Sequence, residues 1–300
     1  MQPALLAVDW GTSSLRAWVL DADGAVLRRH AEPAGVATLE AGAVPGFFRT
    51  RVRPALQADG LPALLCGMVG STLGWTVVPY AGCPADAQAL AAGLAAVGDG
   101  AAIVPGLRCE GPFGGPDVMR GEETQLLGWL AGDPGRRHGR HVLCLPGTHS
   151  KWVRVEEGRV VRFATAMTGE LFDLLRRQGT LAAAGEAGDA AAFDRGLAAA
   201  GDGGAMAARL FGVRARAVTG ELPGEQAPSF LSGLLVGAEI AALSRLPDFA
   251  GGPVHLVGAP ALTGLYARAL SAAGRAAVAH DGEAAAVAGL LDLYRRWSRP

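Results

Sequence analysis

Leu6-Ala-Val-Asp9-Trp-Gly11-Thr12-Ser13-Ser14-Leu15-Arg16-Ala-Trp18-Val-Leu20-Asp21 reads as a strand, a short polar turn and a second strand. Leu5 to Val8 and Leu15 to Leu20 are apolar runs suited to buried strands. Asp21-Ala-Asp-Gly24 then turns the chain into a third strand over Ala25 to Arg29. The residues between the first two strands suit an anion. Gly11 lets backbone come close to a bulky phosphate, and Thr12 and Ser13 offer hydroxyl and N–H donors. Asp9, at the end of a buried strand, can hold a hydrated divalent cation. An ordinary hairpin would use the same residue types merely to turn the chain.

Composition narrows the function class. Of the 300 residues, 50% are hydrophobic and 18% charged, so the chain can bury a sizeable core. A formal charge of −1 gives no basic field for nucleic acid or an anionic membrane. The sequence shows neither a basic-then-apolar leader nor about 18 uninterrupted apolar residues, so a cytoplasmic protein is expected. The 4 cysteines are scattered without a C-x-x-C, which indicates neither a zinc site nor a disulfide framework. Among 27 basic residues, Lys151 is the one lysine; in an arginine-biased background that retention points to a need for lysine itself. No G-x-x-x-x-G-K-[ST] occurs and no G-x-G-x-x-G follows a strand, so P-loop and Rossmann folds lose support.

Further along, the pattern predicts a helix over 43–58 weakened by Pro54, a buried strand at 63–66, a long loop over 67–80, a strand at 101–104, a Gly/Pro-rich loop at 109–118 and a helix over 122–130. The polar, Gly- and Arg-rich 131–140 is the expected boundary between domains at 1–137 and 138–300. The second half repeats the opening: strand 141–145, polar turn 146–150, strands 152–155 and 160–165. Helices follow at 169–177, within 182–210 and at 225–243, then strand 254–257, helix 262–273, strand 276–280 and helix 283–297. The alternation implies α/β layers, and two strand–turn–strand starts suggest a duplicated domain.

Several blocks carry a resemblance. D-W-G-T-S-S-L-R-A-W, M-V-G-S-T-L-G-W at 68–75, M-R-G-E-E-T-Q-L-L-G at 119–128, L-P-G-T-H-S-K-W-V at 145–153, M-T-G-E-L-F at 167–172 and F-L-S-G-L-L-V-G-A-E at 230–239 together resemble the 2-dehydro-3-deoxygalactonokinase family. That resemblance implies the actin–hexokinase–Hsp70 superfamily: two ribonuclease-H-like α/β domains with an interdomain cleft that closes on substrate. It also implies ATP and Mg²⁺ as cofactors.

Phosphoryl transfer needs a held phosphate, a metal and a base. Asp9, Gly11, Thr12 and Ser13 supply the first phosphate turn, with Asp9 as the metal residue. By resemblance Gly147, Thr148, His149 and Ser150 form the second. Relatives commonly carry an aspartate on the strand before that turn, where this chain has Cys144, which shifts the metal burden to Asp9. Lys151 suits either phosphate or the substrate carboxylate, and His149 either phosphate or backbone. Glu122 and Glu123 open a helix, where acids also complement the dipole; the resemblance selects Glu123 as catalytic base and leaves Glu122 to cap the helix or bind sugar. Arg120 suits a planar carboxylate. Gly70, Ser71 and Trp75 are expected over the sugar, Thr168, Gly169 and Glu170 facing the cleft, and Gly258-Ala-Pro260 at the adenosine.

The expected reaction is ATP-dependent phosphorylation of the 6-hydroxyl of 2-dehydro-3-deoxy-D-galactonate, in D-galactonate catabolism. The rivals are a kinase for another 2-keto-3-deoxy aldonic acid such as the gluconate epimer, an exopolyphosphatase-like phosphohydrolase, and a sugar-sensing regulator or actin-like filament. The expected partners are a small sugar acid and ATP, with no nucleic acid and no membrane; a homodimer is left open.

Overall fold

The structure, a computed structural model, describes residues 2–178, 181 and 187–298. The part of the predicted 182–210 helical region that covers 182–186 lies outside them. The chain forms two compact units, one of residues 1–139, 156–162 and 281–300, the other of 140–155 and 163–280.

The first unit is built on a six-stranded sheet. Its strands are β1 (Pro3–Trp10), β2 (Leu15–Asp21), β3 (Val26–Glu32), β4 (Ala63–Gly67), β6 (Ala95–Gly98) and β7 (Ala101–Ile103), in the order β3-β2-β1-β4-β7-β6. Strands β1, β4 and β7 run parallel in the middle, and apart from Asp9 near the end of β1 their sequences are apolar because both faces are covered. Leu6, Val8, Trp10, Leu65 and Ile103 share one core with Phe48 and Val52. Those two come from the helical stretch predicted over 43–58. It forms as Val44–Phe47, a π turn Phe48–Val52 and Arg53–Ala55, the π turn absorbing the amide that Pro54 lacks.

The loop expected at 109–118 is instead an antiparallel hairpin. Short strand β5 (Ala81–Gly82) pairs with β8 (Leu107–Glu110), which pairs with β9 (Pro116–Met119) in a three-stranded sheet. Its glycines and prolines occupy the connection, where Gly114 and Gly115 take positive φ. The domain division also differs from 1–137 and 138–300. Helix Gly282–Trp297 packs in the first unit against helix Glu122–Ala131, through facing glycines 128 and 289 that no larger residue could replace at that distance.

The second unit holds a five-stranded sheet of β10 (Arg140–Leu145), β11 (Ser150–Glu156), β12 (Arg159–Ala166), β13 (Val254–Gly258) and β14 (Ala277–Asp281), in the order β12-β11-β10-β13-β14. It repeats the 3-2-1-4 strand order of the first sheet, the pattern expected of a duplication. Helices Ala190–Ala200 and Ala227–Leu243 cross closely at Gly196 and Gly233. Residues 224–243 are long and apolar enough to cross a membrane by length and composition, but 78% of that window is buried inside the protein, as suits a core helix.

Candidate active site

In the first unit the turn after β1 is held from below by backbone. Gly11 N–H donates to Ser14 O (2.9 Å), Val36 N–H to Gly11 O (3.0 Å) and Ala37 N–H to Thr12 O (3.0 Å). A Cβ on Gly35 would lie 2.2 Å from Thr12 O, so only glycine lets this second segment support the turn. The Thr12 and Ser13 side chains are exposed.

Asp9 ends β1 directly opposite Arg16 of β2, whose Nη2 donates to Asp9 Oδ2 at 2.5 Å. Burial raises the Asp9 carboxyl above the usual range, and the Arg16 charge works against that rise. The sequence reading missed Arg16, although a four-residue turn over 11–14 fixes the register that pairs it with Asp9. Asp9 is beside β4, in register with Cys66, and a Cβ on Gly67 would meet Trp10 O at 2.7 Å and Asp9 Oδ1 at 3.4 Å. Gly67 (φ +90°) in turn lies against Gly121 (φ +114°), the residue before helix Glu122–Ala131. These two glycines bring the turn that follows β1 and the paired acids together.

Glu123 is fully buried. Its Oε2 accepts the Gly121 N–H (2.7 Å), while Oε1 has no partner among the described residues. Burial and the neighbouring Glu122 push its carboxyl up to about 8. Glu122 is half-buried and its Oε2 accepts the Arg120 N–H (3.1 Å). Burial pushes the Cys66 thiol up, and the charges of Asp9 and Glu123 add to the rise, so both acids lie near this one buried thiol. The Arg120 guanidinium lies 4.3 Å from the Tyr80 ring centre and donates from Nη2 to Val78 O (2.7 Å). Its Nε and Nη1 are buried with no partner among the described residues, and Gly70 is so near that a Cβ there would sit 2.8 Å from Nη1. Ser71 spends its hydroxyl on Met68 O, and Trp75 packs its ring on Phe48. Both are on the expected loop, Ser71 bonded within it and Trp75 packed against the core of the unit.

The second unit assembles its own set. Gly147, Thr148 and His149 form the turn between β10 and β11, with Thr148 and His149 exposed and Ser150 and Lys151 buried. Helix Thr168–Arg177 starts against it: Glu170 N–H donates to Thr148 O (2.9 Å), a Cβ on Gly169 would lie 2.3 Å from Gly147 O, and Glu170 Oε2 is 2.5 Å from His149 Nε2. Gly258 lies behind Pro146, and Pro260 starts the helix Pro260–Ala272. Thr168 does not present a free hydroxyl, because its proton goes to Glu239. Glu239, in helix Ala227–Leu243, was missed; its signal was a lone acid in an otherwise apolar helix, which implies buried partners.

Among the described residues Asp9 is the carboxylate at the turn that follows β1, and these residues contain no cluster of three or more His, Cys, Asp or Glu that could hold a metal by themselves. That donor set fits Mg²⁺, which keeps waters and substrate phosphates as its other ligands and needs one or two protein carboxylates.

Comparison with known proteins identifies the family. The family profile for 2-keto-3-deoxy-galactonokinase matches residues 9–293. The 2-dehydro-3-deoxygalactonokinase of Escherichia coli (strain K12) is 38% identical over 297 residues, covering 98% of each chain. A crystal structure from Sinorhizobium meliloti carrying the same enzyme name superposes with a TM-score of 0.85 at 39% identity, covering 97% of this chain and 98% of that one. The activator of 2-hydroxyisocaproyl-CoA dehydratase from Clostridium difficile, solved with bound ADPNP, is similar in fold alone, with a TM-score of 0.51 at 10% identity over 99% of this chain and 96% of that one. The chain belongs to the 2-keto-3-deoxy-galactonokinase family.

Proposed function

We propose that this sugar-acid kinase transfers the γ-phosphoryl group of ATP to the 6-hydroxyl of 2-dehydro-3-deoxy-D-galactonate. The observation that carries the reading is the set of unspent groups in the first unit: Glu123 Oε1 and Arg120 Nε and Nη1 are buried with no partner among the described residues, and the Gly121 between these two residues lies against Gly67, beside Asp9. Buried polar atoms are costly unless paired. A substrate with a hydroxyl and a carboxylate would satisfy both.

In this reading Glu123 Oε1 accepts the hydroxyl proton as the oxygen attacks phosphorus, and its raised pKa makes it a stronger base once ionised. Arg120 binds the carboxylate, held flat by Tyr80 on one side and admitted by the missing side chain of Gly70 on the other. Glu122 keeps Arg120 in place through its backbone. Because these groups are shut from water, the loop carrying Val78 and Tyr80 must yield to admit the sugar acid. Backbone N–H groups at 11–13 hold phosphate oxygens, as do those at 147–150, with Lys151 adding charge; Gly258 and Pro260 border the adenosine. Mg²⁺, held through Asp9, would offset the phosphate charge.

ADP release with a panel of 2-keto-3-deoxy aldonic acids, with water alone as control, tests the reading. The galactonate derivative should give the highest kcat/KM. A preference for the gluconate epimer would move the substrate, and equal release with water would replace the kinase by a phosphohydrolase.

A further inference from the structure

Glu239 is buried in the second unit, 6% exposed, with three donors converging on it. Trp152 Nε1 donates to Oε1 (2.7 Å), Tyr266 Oη to Oε2 (2.7 Å) and Thr168 Oγ1 also to Oε2, while the neighbouring Ser150 hydroxyl donates to Ala166 O (3.4 Å). An ionised carboxylate only accepts, so each of the three donors must aim its hydrogen inward. Burial raises the Glu239 pKa and its hydrogen bonds oppose the rise. Burial also pushes up the Cys144 thiol, on the strand that enters the 147–150 turn, and the Glu239 charge adds to that rise.

The donors come from the segments that surround that turn. Ser150 closes the turn, and the first donor, Trp152, follows it on β11. Thr168 starts the helix whose Gly169 and Glu170 abut Gly147 and Thr148. Tyr266 belongs to the helix that follows Gly258 and Pro260. We propose that Glu239 is a positioning residue for nucleotide binding, one buried carboxylate that locks the 147–150 turn, the start of helix 168–177 and the helix after 258–260 into a single rigid arrangement. The proposal rests on the reading of 147–150 as a phosphate turn. Its physical logic is preorganisation: donors fixed before the ligand arrives need no ordering when it binds.

The test is steady-state kinetics and direct binding of a non-hydrolysable ATP analogue, using Glu239→Gln, Thr168→Val and Tyr266→Phe in the full chain. Glutamine cannot accept from all three donors, so the KM for ATP should rise at least about 10-fold, while the KM for the sugar acid stays within about twofold. The indole N–H resonance of Trp152, assigned with Trp152→Phe, should shift in Glu239→Gln. Thr168→Val and Tyr266→Phe each remove one donor from an intact carboxylate and should raise the same KM by smaller factors, which keeps the test decisive if Glu239→Gln folds poorly. Lower thermal stability with unchanged KM for ATP in all three would overturn the proposal, leaving a purely structural network. Gly147→Asp checks the parent reading separately, since it puts a carboxylate into an open turn. If that variant loses the analogue and the Glu239-network variants do not, only the present proposal fails. If Gly147→Asp still binds the analogue normally, the phosphate-turn reading fails and this proposal fails with it.

Discussion

Gly128 and Gly289 face each other where helices Glu122–Ala131 and Gly282–Trp297 cross: a Cβ on Gly128 would lie 1.7 Å from the Ala285 carbonyl oxygen, and one on Gly289 1.8 Å from that of Thr124. Both obstacles are backbone, so a methyl group can enter only by driving the helices apart. Gly289→Ala should therefore cost at least about 3 kcal/mol, roughly 6 °C or more in Tm, despite alanine's better helix propensity. Gly264, in helix Pro260–Ala272, is exposed with nothing within 4 Å of its virtual Cβ. Gly264→Ala should instead stabilise by about 0.5–1 kcal/mol. Thermal melts of the two variants side by side check the contrast.

Asp9→Asn keeps the shape and a contact with Arg16 while removing the charge that would hold Mg²⁺. Turnover should fall at least about 10²-fold with the fold retained. A well-folded variant with near-normal Mg²⁺-dependent turnover would remove Asp9 from the metal site.

The raised Glu123 pKa has a sign that can be checked on stability. Its folded value of about 8 lies above the ordinary 4.5, so the native state holds a proton that the unfolded chain has released. The associated stability is complete below pH 4.5 and is lost as pH climbs to about 8. Urea melts at several pH values should show wild type losing stability across that window and Glu123→Gln losing less. Activity runs the other way, because an ionised base is needed: kcat/KM of the wild type should rise toward pH 8.

The paired acids separate by kinetics. Consecutive helical residues point about 100° apart, so only one of the two can face an acceptor hydroxyl. Glu123→Gln should depress kcat roughly 10²–10⁴-fold with little change in nucleotide affinity. Glu122→Gln should chiefly raise KM for the sugar acid. Single-turnover rates with the opposite ranking would exchange the roles.

Arg120→Lys keeps the charge and loses the planar donor set stacked on Tyr80. The KM for the sugar acid should rise about 10-fold or more, with that for ATP nearly unchanged. Equal effects on both substrates would argue against carboxylate recognition by Arg120.

Much of this was legible in the chain because it is local. The β1–β2 hairpin, its polar turn and the acids opening helix 122–131 are runs of adjacent residues whose period and chemistry show directly. What escaped depends on distant partners. Helix 282–297 reads as an ordinary terminal helix, and its place beside helix 122–131 follows from two glycines 161 positions apart in numbering (289 − 128). The β8–β9 hairpin hides in Gly- and Pro-rich sequence because its strands are only four residues each. Glu239 gathers donors from positions 152 to 266, which no window of sequence displays together. Arg16 was readable, since hairpin register alone sets it across from Asp9.

The placement of helix Gly282–Trp297 in the first unit also sets an order of events during synthesis. Residues 140–280 leave the ribosome before that helix does, so the second unit has its whole sequence in hand while the first still lacks the partner of helix 122–131. A nascent chain stalled before residue 282 would thus carry a second unit able to complete itself and a first unit exposing Leu126, Leu127 and Leu130 with their glycine seam open. The half of the protein translated first is the half finished last, and its apolar surface would be what a chaperone meets during that interval.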